Sequence, residues 1–271
     1  MSVPASDRPV TTHDLRAYKQ RGERFAMLTA YDYLTAQTLD EAGIPVLLVG
    51  DSLGMVVLGY ESTLPVTVDE MLHHVRAVRR GARRALVVGD MPFMSFQASA
   101  DEAVRNAARF LKEGGAHAVK LEGGGPIIDL TARLTAMGVP VMGHLGLTPQ
   151  SVNQFGGFKV QGRTGDAAAR IARDAVALAE AGAFAIVLEC VPAQLGRQVT
   201  EAVSVPTIGI GAGSHTDAQV LVVQDMLGLT SGRLPRFVKQ YADLRAAIAD
   251  AAKTYQAEVA SGDYPGPEHS Y

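Results

Sequence analysis

Three acidic residues stand at the ends of three successive apolar runs: Asp51 after residues 46–49, Asp90 after 85–88 and Glu122 after 118–121. Each is followed within two residues by serine, proline or glycine, residues that turn a chain. If the runs are neighbouring parallel strands, all three carboxylates arrive at one end of the sheet. Carboxylates that close repel one another, and some would take up protons. A divalent cation removes that repulsion, and an all-oxygen ligand set completed by water suits Mg²⁺ better than Zn²⁺, which favours His or Cys. The competing explanation is that each acid caps the helix that follows it. Three in succession favour the cation.

Other reactive side chains fall in the same places. Lys120 lies two residues before Glu122, so both side chains share one side of a strand. A surface lysine fits poorly inside Ala118-Val119-Lys120-Leu121; turned inward near a metal, its amine suits an anionic substrate group or a Schiff base. His144 follows the next run, either as a core histidine or as part of the site. Glu189 ends the run after that and is placed to act as a general acid–base. Cys190 points the other way and reads as packing, and the other six histidines lie in helices, turns or tails. Gly209-Ile210-Gly211-Ala212-Gly213 is not a dinucleotide fingerprint, because Ser214 stands where the third glycine would be required. Its glycines are expected to permit close packing.

The elements that must position these residues form a repeating phrase. Apolar runs are expected as strands over 25–30, 46–49, 85–88, 118–121, 140–142, 183–188, 207–210 and 219–223. Each is continuously apolar rather than alternating, as suits strands covered on both faces. Helices are expected over 33–42, 68–80, 100–113, 127–137, 166–181 and 193–202. Asp32 caps the first of these, and Thr67 with Glu70 forms a capping box on the second. Glycine after the helices supplies their left-handed stop. Eight strands at roughly 34 residues per unit match a single-domain (β/α)8 TIM barrel over 1–271, with an open doubly wound sheet as the alternative. The aperiodic stretch 145–163 is too long for a mere connection and is expected to be ordered and functional. A final helical region is expected over 235–260, followed by a polar tail.

Composition excludes several classes. The chain has 271 residues, 47% of them hydrophobic, which is enough for a substantial core. Its 25 Lys+Arg against 28 Asp+Glu leave no basic excess for nucleic acid or an anionic membrane surface. The single cysteine rules out an internal disulfide. The first residues lack the apolar core of a secretory signal, and no run approaches membrane-spanning length. A soluble, cytoplasmic protein is expected.

The longer phrases are specific. Thr29-Ala30-Tyr31-Asp32-Tyr33, Val49-Gly50-Asp51-Ser52-Leu53-Gly54-Met55, Asp90-Met91-Pro92-Phe93-Met94, Lys120-Leu121-Glu122-Gly123-Gly124 and Gly143-His144-Leu145-Gly146-Leu147-Thr148-Pro149-Gln150 closely resemble the ketopantoate hydroxymethyltransferase family, nearly end to end. The resemblance implies a (β/α)8 barrel assembled as a homodecamer of two pentameric rings. It implies transfer of a one-carbon unit from 5,10-methylenetetrahydrofolate to 3-methyl-2-oxobutanoate, giving 2-dehydropantoate in pantothenate biosynthesis. It further implies Mg²⁺ ligands at Asp51, Asp90 and Glu122, and 2-oxoacid contacts at Asp51, Ser52, Asp90 and Lys120 with His144 nearby. Glu189 matches the catalytic carboxylate. The chemistry read from the residues agrees: a 2-oxoacid can chelate Mg²⁺, which stabilises the enolate left when the C3 proton departs.

Overall fold

The computed structural model describes residues 8–271. The chain divides into two compact units, one ending at Val222 and one comprising Val223–Tyr271. In the first, eight parallel strands close into a barrel in sequence order. They are β1 Phe25–Thr29, β2 Val46–Val49, β3 Leu86–Asp90, β4 Ala118–Glu122, β5 Val141–Gly146, β6 Ala185–Glu189, β7 Thr207–Ile210 and β8 Ala218–Leu221. Pairing of β1 with β8, from Phe25 opposite Ala218 to Leu28 opposite Leu221, completes the ring and excludes the open sheet.

Helix α1, Thr12–Arg21, precedes the barrel. Between strands run α2 Tyr33–Glu41, α3 Leu53–Val56, α4 Val68–Gly81, α5 Ala100–Lys112, α6 Pro126–Ala136, α7 Val152–Phe155, α8 Gly165–Glu180 and α9 Ala193–Ala202. The expected caps are present. Asp32 accepts from the Thr35 N–H at 2.8 Å. Thr67 and Glu70 bond reciprocally, at 2.7 Å and 3.2 Å, at the start of α4. Each such cap stabilises its helix by about 1 kcal/mol.

The continuous runs behave as expected: every residue of β2, β3 and β4 is buried. Alternate residues face the interior, where Val46, Leu48, Val88, Ala118, Met142 and Val187 meet in one apolar cluster. Leu15 of α1 joins that cluster beside residues that begin the strands. Lys19, one turn on, donates to Asp217 at 2.9 Å and to the Thr200 carbonyl at 2.8 Å. The short helix is thereby fixed to the last turn of α9 and to the turn before β8.

Three expectations need correction. The fifth strand does not end at residue 142 but runs through Gly146, so His144 lies within it. The glycines that interrupt its apolar run fit close packing; a Cβ on Gly143 would stand 3.0 Å from Leu178. The stretch from 145 is correspondingly shorter as a loop, and it contains a 3-10 turn over Pro149–Ser151 as well as α7. In the second unit, α10 is Val223–Met226 and α11 is Leu244–Ser261. The last helix begins at its Asp243 cap, which accepts from the Ala246 N–H at 3.1 Å, and not at residue 235.

Candidate active site

Strand register assembles the site. Two positions beyond the interior residues Val88, Ala118, Met142 and Val187 lie Asp90, Lys120, His144 and Glu189, with Glu122 two further on β4. Across strands, Asp90 stands opposite Lys120, Glu122 opposite His144, and Gly146 opposite Glu189. These residues continue the inward face of the barrel to its C-terminal rim, the end at which active sites of this architecture lie. Asp51 joins them from the turn after β2, where its N–H donates to Asp90 Oδ2 at 3.2 Å.

One ligand oxygen from each of Asp51, Asp90 and Glu122 can be chosen so that all lie within 4.8 Å of one another, and all three residues are buried. None of them caps a helix. The residue before α3 is Ser52, α5 is capped by Ser99, and Gly125 precedes α6. The capping alternative is therefore excluded.

The charges explain what the cluster needs. Burial, then the neighbouring charges of Asp90 and Glu122, pushes the Asp51 carboxyl well above its usual range. Burial also raises Asp90, against the pull of Lys120. For Glu122, burial is outweighed by Lys120 and His144, which hold it below the usual carboxylate range. Lys120 ion-pairs with Asp90 Oδ1 at 2.8 Å and with Glu122 Oε1 at 3.5 Å. Those acids outweigh the burial that would discharge the amine and hold it protonated. A protonated amine suits an anionic substrate group better than Schiff-base formation. Acids outnumber the cations available to them, and Asp90 Oδ1 accepts no aligned hydrogen bond. A hard divalent cation fits this donor set.

His144 bridges the acids and the far side of the rim. Its Nδ1 is 3.2 Å from Glu122 Oε1, and its Nε2 is 3.3 Å from Glu189 Oε2, off the line of a hydrogen bond. Burial would lower the imidazole, but the two carboxylates prevail and raise it to about 9. The core-histidine reading thus gives way to one within the polar cluster. Glu189 is the accessible acid: its side chain is 17% exposed, against 3% for Glu122. Ser52 bonds through Oγ to the Tyr31 hydroxyl at 2.8 Å. The Cys190 thiol is raised to about 11 by burial and then by Glu189, so it stays protonated and inert at neutral pH.

Two contributors carry no signal in local sequence. Tyr31 orients Ser52 from the end of β1, and Gln150 donates its amide to Asp51 Oδ2 at 2.9 Å. Gln150 lies 99 residues from Asp51, and only folding of the loop joins them. Gly146, at φ 95°, brings β5 against β6 so closely that a Cβ would stand 2.2 Å from the Glu189 carbonyl oxygen. In the glycine-rich turn after β7, a Cβ on Gly213 would stand 2.5 Å from that of Ala193, the close packing expected there.

Comparison with known proteins follows the same line. The sequence model of one family, described as ketopantoate hydroxymethyltransferase, matches residues 9–267. The chain is 60% identical over 271 residues to the 3-methyl-2-oxobutanoate hydroxymethyltransferase of Syntrophus aciditrophicus (strain SB), covering 100% of both. It is 59% identical over 262 residues to that of Carboxydothermus hydrogenoformans, covering 97% of this chain and 95% of the relative. Among solved structures, phosphonopyruvate hydrolase in complex with oxalate and Mg++ has a similar fold. The TM-score is 0.59 at 14% identity, covering 96% of this chain and 93% of that one.

Proposed function

The chain belongs to the ketopantoate hydroxymethyltransferase family, and from that premise we propose that it transfers a hydroxymethyl group from 5,10-methylenetetrahydrofolate to 3-methyl-2-oxobutanoate, giving 2-dehydropantoate. The observation that carries the reading is the buried cluster of Asp51, Asp90 and Glu122 around Lys120 at the barrel rim. Asp51, Asp90 and Glu122 would hold Mg²⁺, which when bound supplies Lewis-acid stabilisation of the negative charge a 2-oxoacid gains on losing its C3 proton.

The chain's own residues supply the rest. Lys120 brings a fixed positive charge to the ketoacid carboxylate, and its pairing with Asp90 keeps that charge in place. Ser52, held by Tyr31, offers a hydroxyl to the same substrate. Glu189 takes or gives the proton at the reacting centre, because it is the rim carboxylate with access to solvent. His144 lies between Glu122 and Glu189, orients that carboxylate and contacts the ketoacid.

In the cell this is the first committed step toward pantothenate, the coenzyme A precursor, carried out in the cytoplasm. No described helix is long and apolar enough to cross a membrane. Assembly is as a homodecamer of two pentameric rings. The test is product formation by purified protein with the ketoacid, Mg²⁺ and 5,10-methylenetetrahydrofolate, each omitted in turn. Hydroxymethylated product that depends on folate is expected. Cleavage of a 2-oxoacid without folate would replace this reading with that of a carbon–carbon lyase using the same acids.

A further inference from the structure

Gln150 occupies a position that the chemistry above does not use. It sits in the 3-10 turn over Pro149–Ser151, and it is 4% exposed. Its side-chain amide donates to Asp51 Oδ2 and to the Met91 carbonyl, both at 2.9 Å. Its Oε1 accepts from Gln97 Nε2 at 3.1 Å, and its backbone N–H donates to Glu122 Oε2 at 3.0 Å. One residue therefore fixes an oxygen on each of two acids that come from different strands.

The segment that carries Gln150 is tied to the barrel at few other points. The Leu147 N–H donates to the Glu189 carbonyl and the Gln161 N–H to the Cys190 carbonyl, each at 2.8 Å. Between those ties, residues 151–160 are all exposed or half-buried, and Gly156 and Gly157 have φ of 64° and 111°. A stretch with so few buried contacts has low local stability. Its order depends on the polar bonds at its ends, and the acids accept two of them.

We propose that Gln150 is a positioning residue that couples ordering of the 147–163 segment to cation binding by Asp51 and Glu122. The proposal rests on the reading that these acids hold a divalent cation. Coupling of this kind is reciprocal: if the ordered segment presents the acids to the ion, the ion must also order the segment. The partners that orient metal-binding carboxylates typically contribute about 10–100-fold in metal affinity.

The experiment uses the full chain, stripped of metal and titrated with Mg²⁺ alone by calorimetry, with amide hydrogen exchange followed over 147–163. In the wild type, Mg²⁺ is expected to slow exchange in this segment. Gln150→Met keeps the side-chain volume but removes the donors. It is expected to weaken Mg²⁺ binding about 10–100-fold and to diminish the Mg²⁺-induced protection, the backbone tie to Glu122 being left in place. Thermal unfolding checks that the variant is folded. Gln150→Asn, whose amide is too short to span Asp51 and Met91 together, carries the same expectation should the methionine variant fail to fold. Asp90→Ala separates the two levels. If it binds Mg²⁺ as the wild type does, the cation reading itself falls. If it loses Mg²⁺ while the folded Gln150 variant keeps wild-type affinity and protection, the coupling is overturned and the cation reading stands.

Discussion

Lys120→Met removes a charge that the buried acids depend on. Nζ is 2.8 Å from Asp90 Oδ1 and 3.5 Å from Glu122 Oε1, and the side chain is 4% exposed. Methionine fills most of the volume, so the loss is electrostatic. Stranding the partners of a buried ion pair costs about 3–5 kcal/mol, partly offset where the acids take up protons. At roughly 2–4 °C per kcal/mol for a chain of this size, the metal-free protein should melt about 6–20 °C lower. Asp90→Asn alone should cost less, because Lys120 still faces Glu122. Combining the two substitutions removes both the cation and the acid nearest to it, so the double variant should be more stable than the sum of the single losses implies. Scanning calorimetry of the four metal-free proteins measures that interaction directly. A Lys120→Met protein that melts with the wild type, or a cycle with no interaction energy, would refute the charge balance described for the rim.

Two other expectations concern separate parts of the barrel. Glu189→Gln should leave Mg²⁺ and ketoacid binding near wild type while lowering kcat about 10²–10⁴-fold; weakened binding with normal kcat would contradict its role. The His117 ring accepts from the Val87 N–H at 2.9 Å, and burial, followed by the charge of Arg79, lowers its pKa to about 4. A folded-state value below the ordinary one near 6.5 means stability that is present above pH 6.5 and lost as the pH falls toward 4. Urea unfolding at pH 7 and 4.5 should therefore show a larger loss for the wild type than for His117→Gln, and equal losses would count against it.

Most of the barrel is legible in the sequence because burial on both faces leaves unbroken apolar runs. Val46–Val49 begins and ends where its hydrophobicity does, and Thr207–Ile210 begins directly after Pro206. Asp32 and the Thr67–Glu70 box mark their helices by local chemistry alone. The clustering of the acids is legible for a related reason: each stands at the end of a buried apolar run, and neighbouring runs bring all three to one rim. What sequence conceals is set by tertiary packing. The fifth strand reads short because Gly143, His144 and Gly146 break its apolar run, although glycine is what lets it approach α8 and β6. Helix α1 fully buries only Leu15, with Tyr18 partly buried against the same cluster, and carries too weak a pattern to be read as part of the barrel. Near residue 235, proline and polar residues resemble a helix start, yet Asp243 provides the cap. Gln150 sits in a stretch with no periodicity, and its partners Asp51, Met91 and Glu122 come from three other segments.

The central claim is that a divalent ion held by Asp51, Asp90 and Glu122 makes the C3 proton of the ketoacid removable. It is tested most directly by following loss of deuterium from C3-deuterated 3-methyl-2-oxobutanoate by NMR, without folate, before and after removal of metal. Exchange is expected with Mg²⁺, is expected to stop on exhaustive chelation and return when Mg²⁺ is restored, and is expected to be absent in Asp90→Ala at every Mg²⁺ concentration. Deuterium loss at the same rate in the chelated enzyme would contradict the claim.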